Sequence, residues 1–283
     1  MIIDFHTHVF PPFFEKNRNR FFPEEPAFKT LYDSPKARLV SKEELLESMD
    51  QAGVEKSVIF GFPWDKPDYF RRHNDYVMES VQQHPDRFIG FCCFSPLSFE
   101  GPREAQRCLD AGLSGVGELA FYRSGLGSEV QEHLAEIMAL CSGLDAPLLL
   151  HTNEPVGHAY PGKTPMSLSE IYQFITRYPS NRIVLAHWGG GLFFYGLMKK
   201  EVPGAFKNVW FDTAASPYLY QPEVYRIGVD IVGSEKILLG SDYPLLNPLR
   251  YLEEMKSAGI PEEAFRNIAG ENAARLLGLS ANE

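Results

Sequence analysis

Long apolar runs are missing from this chain: nowhere in its 283 residues do eighteen apolar side chains stand together, so no membrane-spanning helix is expected. The start, Met1-Ile2-Ile3-Asp4-Phe5-His6, has no basic stretch leading into an apolar one, and no secretory leader is expected. Cysteine is scarce. The four present, Cys92, Cys93, Cys108 and Cys141, have neither CxxC spacing nor the density of a secreted disulfide framework, and the expected home is a reducing cytoplasm. Positive charge is in deficit, with 27 Lys and Arg against 37 Asp and Glu for a formal net charge of −10. That balance repels phosphate backbones and anionic lipid. It argues against nucleic acid and membrane surfaces as partners, which leaves a small-molecule substrate, with a homo-oligomer left open. No G-x-S-x-G elbow, H-E-x-x-H helix or short-period repeat occurs, which removes two routes to hydrolysis and the solenoid folds.

What the chain does have is 44% hydrophobic and 23% charged residues, an ordinary globular composition. Short apolar, β-branched runs at 2–5, 57–61, 88–94, 115–119, 147–151, 183–187, 209–212 and 237–240 alternate with segments of helical period. Those segments are 42–52, 74–84, 102–111, 130–141, 168–177, 192–199 and 222–232, with 262–269 and 271–277 closing the chain. Gly53 and Gly112 stand where a left-handed helix C-cap belongs, each ahead of a strand. Eight strand and helix units in one chain of this length predict a single-domain (β/α)8 TIM barrel spanning 1–283. Segment 11–40, between the first strand and first helix, breaks the rhythm and is expected to be an active-site loop, a lid or pocket wall. Gly115-Val116-Gly117-Glu118-Leu119-Ala120 fits the G-x-G-x-x-A dinucleotide fingerprint, but its glycines fall inside a strand and not after one, so the match is accidental.

Four of the eight histidines share one address. His6 and His8 end the first strand, and alternation along a strand sends both to one face as a chelating pair. His151 ends the fifth strand and His187 the sixth. Asp242 follows the eighth in Gly240-Ser241-Asp242-Tyr243-Pro244, and closing the barrel brings that strand beside the first. Imidazole and carboxylate together suit Zn²⁺, with Mn²⁺ or Fe²⁺ as other choices and Ca²⁺ disfavoured. Zn²⁺ lowers the pKa of a bound water to about 7. An HxH pair alone is a weak signal, but five such residues at the C-terminal rim, where barrel enzymes keep their chemistry, make a metal site the leading reading.

Three stretches, Asp4-Phe5-His6-Thr7-His8, Ala186-His187-Trp188-Gly189-Gly190-Gly191 and Gly240-Ser241-Asp242-Tyr243-Pro244, resemble the amidohydrolase-related family of the amidohydrolase superfamily. The closing Gly270-Glu271-Asn272-Ala273-Ala274-Arg275-Leu276-Leu277 is similar to its C-terminal helix, and the likeness covers essentially the whole chain. That family includes metal-dependent hydrolases, lactonases and non-oxidative decarboxylases. The resemblance implies His6, His8, His151 and Asp242 as metal ligands, with His187 either binding a second metal or polarising the substrate. Glu118, on the fourth strand, takes the place of a bridging ligand in two-metal members. Its other reading is a buried carboxylate that orients a histidine, so the expected ion count is one or two.

The loop after the fifth strand carries Glu154, His158 and Lys163, which with Trp188 are the expected substrate contacts, Lys163 or His158 holding a carboxylate. Core packing is the competing role for Trp188 and for Phe13, Phe14, Phe21 and Phe22. His84 and His133 read as structural, and the Arg71, Arg72, His73 cluster as a marginal anion contact. The expected activity is hydrolysis of a lactone, ester or amide, with Asp242 taking the water proton and His187 stabilising the oxyanion. The runner-up is non-oxidative decarboxylation at the same site. A metal-binding barrel without catalysis is the third reading, and it predicts ligands without an organised pocket.

Overall fold

A computed structural model describes residues 1–279. Eight strands pair in chain order, all parallel: β1 Ile3–His8, β2 Lys56–Phe60, β3 Phe88–Cys92, β4 Gly115–Leu119, β5 Leu148–Leu150, β6 Ile183–Leu185, β7 Val209–Asp212 and β8 Ile237–Leu238. The ring closes where the Phe5 N–H donates to the Leu239 carbonyl at 2.7 Å and the His8 N–H to the Tyr243 carbonyl at 2.8 Å. This is the expected (β/α)8 barrel. Its strands are almost uniformly buried, as parallel strands are when helices cover one face and side chains fill the other. Phe5 and Phe91 meet edge to face at 5.6 Å although β1 and β3 are not neighbours, so these rings fill the interior.

Local chemistry sets the helix ends. Ser41 and Glu44 form a capping box at the start of helix Lys42–Ala52, and Gly53 ends it at φ 69°, left-handed as expected. The next helix, Pro67–Gln83, starts with proline at its first position and not at residue 74. The segment expected at 130–141 is two helices, Ser128–His133 and Ala135–Gly143. Residues Leu192–Leu197 form a 3₁₀ helix after three left-handed glycines. The longest helix that was not expected is Pro248–Ser257, capped where the Asn247 side chain accepts the Leu249 N–H. Among the described residues no helix is long and apolar enough to cross a membrane.

Segment 11–40 is more ordered than a bare loop. It holds three short helices, Pro12–Lys16, Arg18–Phe21 and Pro26–Tyr32. Phe14, Phe21 and Phe28 bury against Trp64 beyond β2, with the Phe14 and Trp64 rings stacked at 4.5 Å. Each such ring contributes roughly 1.5–3 kcal/mol of burial. Glu25 adds a polar tie, its buried carboxylate accepting the Asp65 and Lys66 N–H groups at 3.0 and 2.9 Å. The segment is therefore clamped over the rim between β1 and β2.

Candidate metal centre and its cavity

The barrel mouth collects the six residues expected to hold a metal. His6 and His8 leave the end of β1, Glu118 lies in β4, and His151, His187 and Asp242 follow β5, β6 and β8. Glu118 faces both halves of the cluster with different oxygens. Its Oε2 lies 3.7 Å from the Nε2 atoms of His6 and His8. Its Oε1 lies 2.9 Å from His151 Nδ1 and 3.5 Å from His187 Nε2. Asp242 Oδ1 stands 3.3 Å from His8 Nε2 and 3.6 Å from His6 Nε2. His187 Nε2 and His151 Nδ1 are 3.2 Å apart.

The ring nitrogens that face the cluster are fixed by what the opposite nitrogens bond. His6 Nδ1 meets the Asp212 carboxylate at 2.8 Å, His8 Nδ1 the Gly61 carbonyl at 3.2 Å, and His187 Nδ1 the Ala214 carbonyl at 3.1 Å. His151 is reversed, with Nε2 on the Gly162 carbonyl at 3.0 Å. Those acceptors demand N–H on the outer nitrogen and leave a lone pair on the inner one, the usual arrangement around a metal-binding histidine.

His6 Nε2 is buried with no hydrogen-bond partner, although two carboxylates lie close by. A lone pair aimed at carboxylates in the interior calls for positive charge between them. Burial alone would depress the His6 imidazole, but the carboxylates of Asp212, Glu118 and Asp242 outweigh it and push the pKa up to about 10. Glu118 is likewise drawn well below its usual range, its burial outweighed by His6 and His151. A divalent cation satisfies the same demand. Ligand atoms about 2.1 Å from one ion lie about 3.0–3.4 Å apart, close to the 3.2–3.7 Å separations across this cluster. The residues present therefore fit a cation of nitrogen and carboxylate preference.

Asp212 escaped the sequence reading. A lone acid ending an apolar strand carries no pattern, yet its buried carboxylate binds His6 through Oδ2 and accepts the N–H groups of His187 and Ala214 through Oδ1 at 2.8 and 3.0 Å. Asp4 opens the Asp4-Phe5-His6-Thr7-His8 stretch of β1. It accepts the Ser241 N–H at 2.9 Å and hydroxyl at 2.5 Å, holding the turn that presents Asp242 at φ 59°, and burial raises its pKa to about 6.

Above the cluster opens a cavity of about 890 Å³. Glu154 and His158 line it, and segment 11–40 supplies a wall through Tyr32, Lys36 and Arg38, while Phe62 and Tyr122 add aromatic surface. Two expected substrate contacts are corrected. Lys163 is outside the lining, its ammonium held by Glu154 at 2.9 Å and the Val156 carbonyl at 2.8 Å. Trp188 is fully buried and belongs to the core: its φ of 59° turns the indole away from the cavity, where Nε1–H donates to Ser216 Oγ at 2.7 Å beside Phe193 and Tyr225. The expected anion contact at Arg71, Arg72 and His73 also falls. Arg71 pairs with Glu100, Arg72 covers the Phe13 ring, and His73 is buried under Trp64, whose indole N–H it accepts at 2.9 Å. Trp188→Phe should therefore cost about 1–3 kcal/mol in chemical denaturation and leave KM unchanged; a raised KM without loss of stability would return Trp188 to the cavity.

The sequence profile of the amidohydrolase family matches residues 3–279. Among curated proteins the chain is 27% identical to a 2-amino-3-carboxymuconate-6-semialdehyde decarboxylase of Dictyostelium discoideum, covering 80% of this chain and 72% of the relative. It is 23% identical to a gamma-resorcylate decarboxylase of a Polaromonas strain, covering 74% and 76%. Among solved structures, 5-carboxyvanillate decarboxylase of Novosphingobium aromaticivorans, crystallised with manganese and a nitrobenzoic acid, superposes at TM-score 0.78 with 17% identity over 99% of this chain and 96% of that one. These names overturn the expected hydrolysis of a lactone, ester or amide. Zinc is not supported either, since the metal in the similar structure is manganese. With the profile matched over nearly its whole length and the barrel in place, the chain belongs to the amidohydrolase family.

Proposed function

We propose that the protein is a metal-dependent decarboxylase of a small aromatic or unsaturated carboxylic acid. The observation that carries this reading is the 27% identity, over 80% of the chain, to a protein named as a decarboxylase of that kind. The cavity supports it in chemical terms. Tyr32, Phe62 and Tyr122 offer flat apolar walls, suited to a planar substrate. An organised cavity over the cluster also counts against a barrel that only stores metal.

His6, His8, Glu118, His151 and Asp242 are the residues assigned to one or two divalent cations, manganese being the first to test, and His187 Nε2 is kept for proton transfer. Such a cation supplies fixed positive charge that holds an anionic substrate group and offsets negative charge developing on the substrate. His187 is assigned the proton. It lines the cavity, its Nδ1–H is anchored on Ala214, and the nearby Glu118 oxygen favours a proton on Nε2. Passing that proton to the substrate carbon that bears the carboxylate makes the new C–H bond. The C–C bond then breaks, its electron pair returns to the unsaturated system, CO₂ leaves uncharged, and neutral His187 regains a proton from solvent.

Lys36 is the lining cation with no carboxylate partner among the described residues, whereas Arg38 pairs with Glu44 at 3.5 Å. Lys36 is exposed, so Lys36→Ala should raise KM only about two- to fivefold at unchanged kcat, and added salt should shrink the difference. The reading is tested by offering manganese-loaded protein gamma-resorcylate, 5-carboxyvanillate and related unsaturated acids and following CO₂, beside lactones, esters and amides followed by acid release. Cation-dependent CO₂ release supports it. Acid release without CO₂ from any member of the panel would overturn it.

A further inference from the structure

We infer that Asp212 is a positioning residue that ties the cation site to the proton carrier, setting the ring tautomer of His6 with one oxygen and the backbone of His187 with the other. The inference rests on the proposed role of His6 as a cation ligand. Asp212 is fully buried, no lysine or arginine pairs with it among the described residues, and its three donors come from three places on the rim. Oδ2 can only accept, so it requires the proton of His6 on Nδ1 and leaves Nε2 bare toward Glu118 and Asp242. Oδ1 accepts the N–H of His187, whose φ of 56° and ψ of 46° are left-handed. That conformation is strained for a residue with a Cβ. It persists where surrounding bonds over-determine it. Here the Asp212 carboxylate holds the N–H, Ala214 the ring and the Tyr220 hydroxyl the carbonyl. One rigid carboxylate thus keeps a ligand atom and a proton-bearing ring in register.

Asp212→Asn separates the two functions. The amide keeps its oxygen on the His187 and Ala214 N–H groups, because the flipped amide would set its NH₂ against both donors to save a single bond. The NH₂ then faces His6 Nδ1, turns it into an acceptor and moves the ring proton to Nε2, where it blocks a cation. Expected results are an Nε2–H signature for His6 in ¹⁵N spectra of histidine-labelled full-length protein, assigned against His6→Gln, and Mn²⁺ affinity lowered about 10- to 100-fold. Saturating Mn²⁺ should restore much of kcat to Asp212→Asn but not to Asp212→Ala, which also frees His187. Wild-type affinity in Asp212→Asn with His6 still protonated on Nδ1 would overturn the inference. If neither variant folds, the wild-type spectrum decides: with diamagnetic Cd²⁺ as probe, Nδ1–H and a cadmium-bound Nε2 are required, and the opposite tautomer overturns the inference. A His6→Gln protein that binds Mn²⁺ as tightly as wild type would instead sink the ligand assignment on which it stands.

Discussion

His8→Ala should leave a folded protein that no longer retains its divalent cation and whose decarboxylation falls by at least about 100-fold. His8 is the better choice of the β1 pair for this purpose. His6 is buried against Asp212, and removing it would leave that carboxylate uncompensated in the interior, whereas His8 lies partly exposed at the rim with only the Gly61 carbonyl behind it. Its Nε2 stands 3.3 Å from Asp242 and 3.7 Å from Glu118. Alanine removes that donor and leaves two carboxylates facing each other without it. Losing a group that merely orients a ligand costs about 10- to 100-fold in affinity or activity, so losing a ligand should cost no less. Elemental analysis after gel filtration reads the metal, and a melting curve reads the fold. Full metal content in His8→Ala would remove His8 from the ligand set.

The second large effect is expected at His187. Asn is the substitution of choice because it tolerates the left-handed backbone that this position requires. It keeps a polar side chain beside Glu118 but cannot carry a proton at neutral pH. If His187 delivers the proton, kcat should fall about 10²- to 10⁴-fold while Mn²⁺ is retained and KM stays close to wild type. If His187 is chiefly a ligand, metal content should fall together with activity. Measuring both on one preparation separates the roles, and unchanged kcat in a manganese-loaded His187→Asn protein would exclude His187 as the proton source.

Much of this site could be read before the fold was known, because barrel geometry turns chain position into spatial position. Strand ends converge on one rim, so His6, His8, His151, His187 and Asp242 needed only their strands to be located. What escaped had a physical reason in each case. Asp212 sits one residue beyond an apolar run, and its value lies wholly in contacts with β1 and the turn after β6. Trp188 follows His187 directly and was placed with it, but the left-handed turn sends the indole into the core. The helices of segment 11–40 are five, four and seven residues long, too short to show a 3.6-residue period. Helix Pro248–Ser257 is a different case, since Asn247, Pro248 and Gly259 marked both its ends. Hydrolysis and decarboxylation both call for a cation, a proton carrier and a cavity, and the six clustered residues do not distinguish them.

The central claim is that this site releases CO₂ from an unsaturated acid and puts a proton in its place. The most direct measurement uses gamma-resorcylate labelled with ¹³C in the carboxyl group, in D₂O, with manganese-loaded protein. If gamma-resorcylate is not turned over, the acid from the panel that is takes its place. The account predicts ¹³C signal in CO₂ and bicarbonate, one deuterium on the carbon that lost the carboxylate, neither product in cation-free protein, and both formed about 10²- to 10⁴-fold more slowly in His187→Asn. Labelled CO₂ at equal rates with and without the cation, or no labelled CO₂ from any acid of the panel, would contradict it.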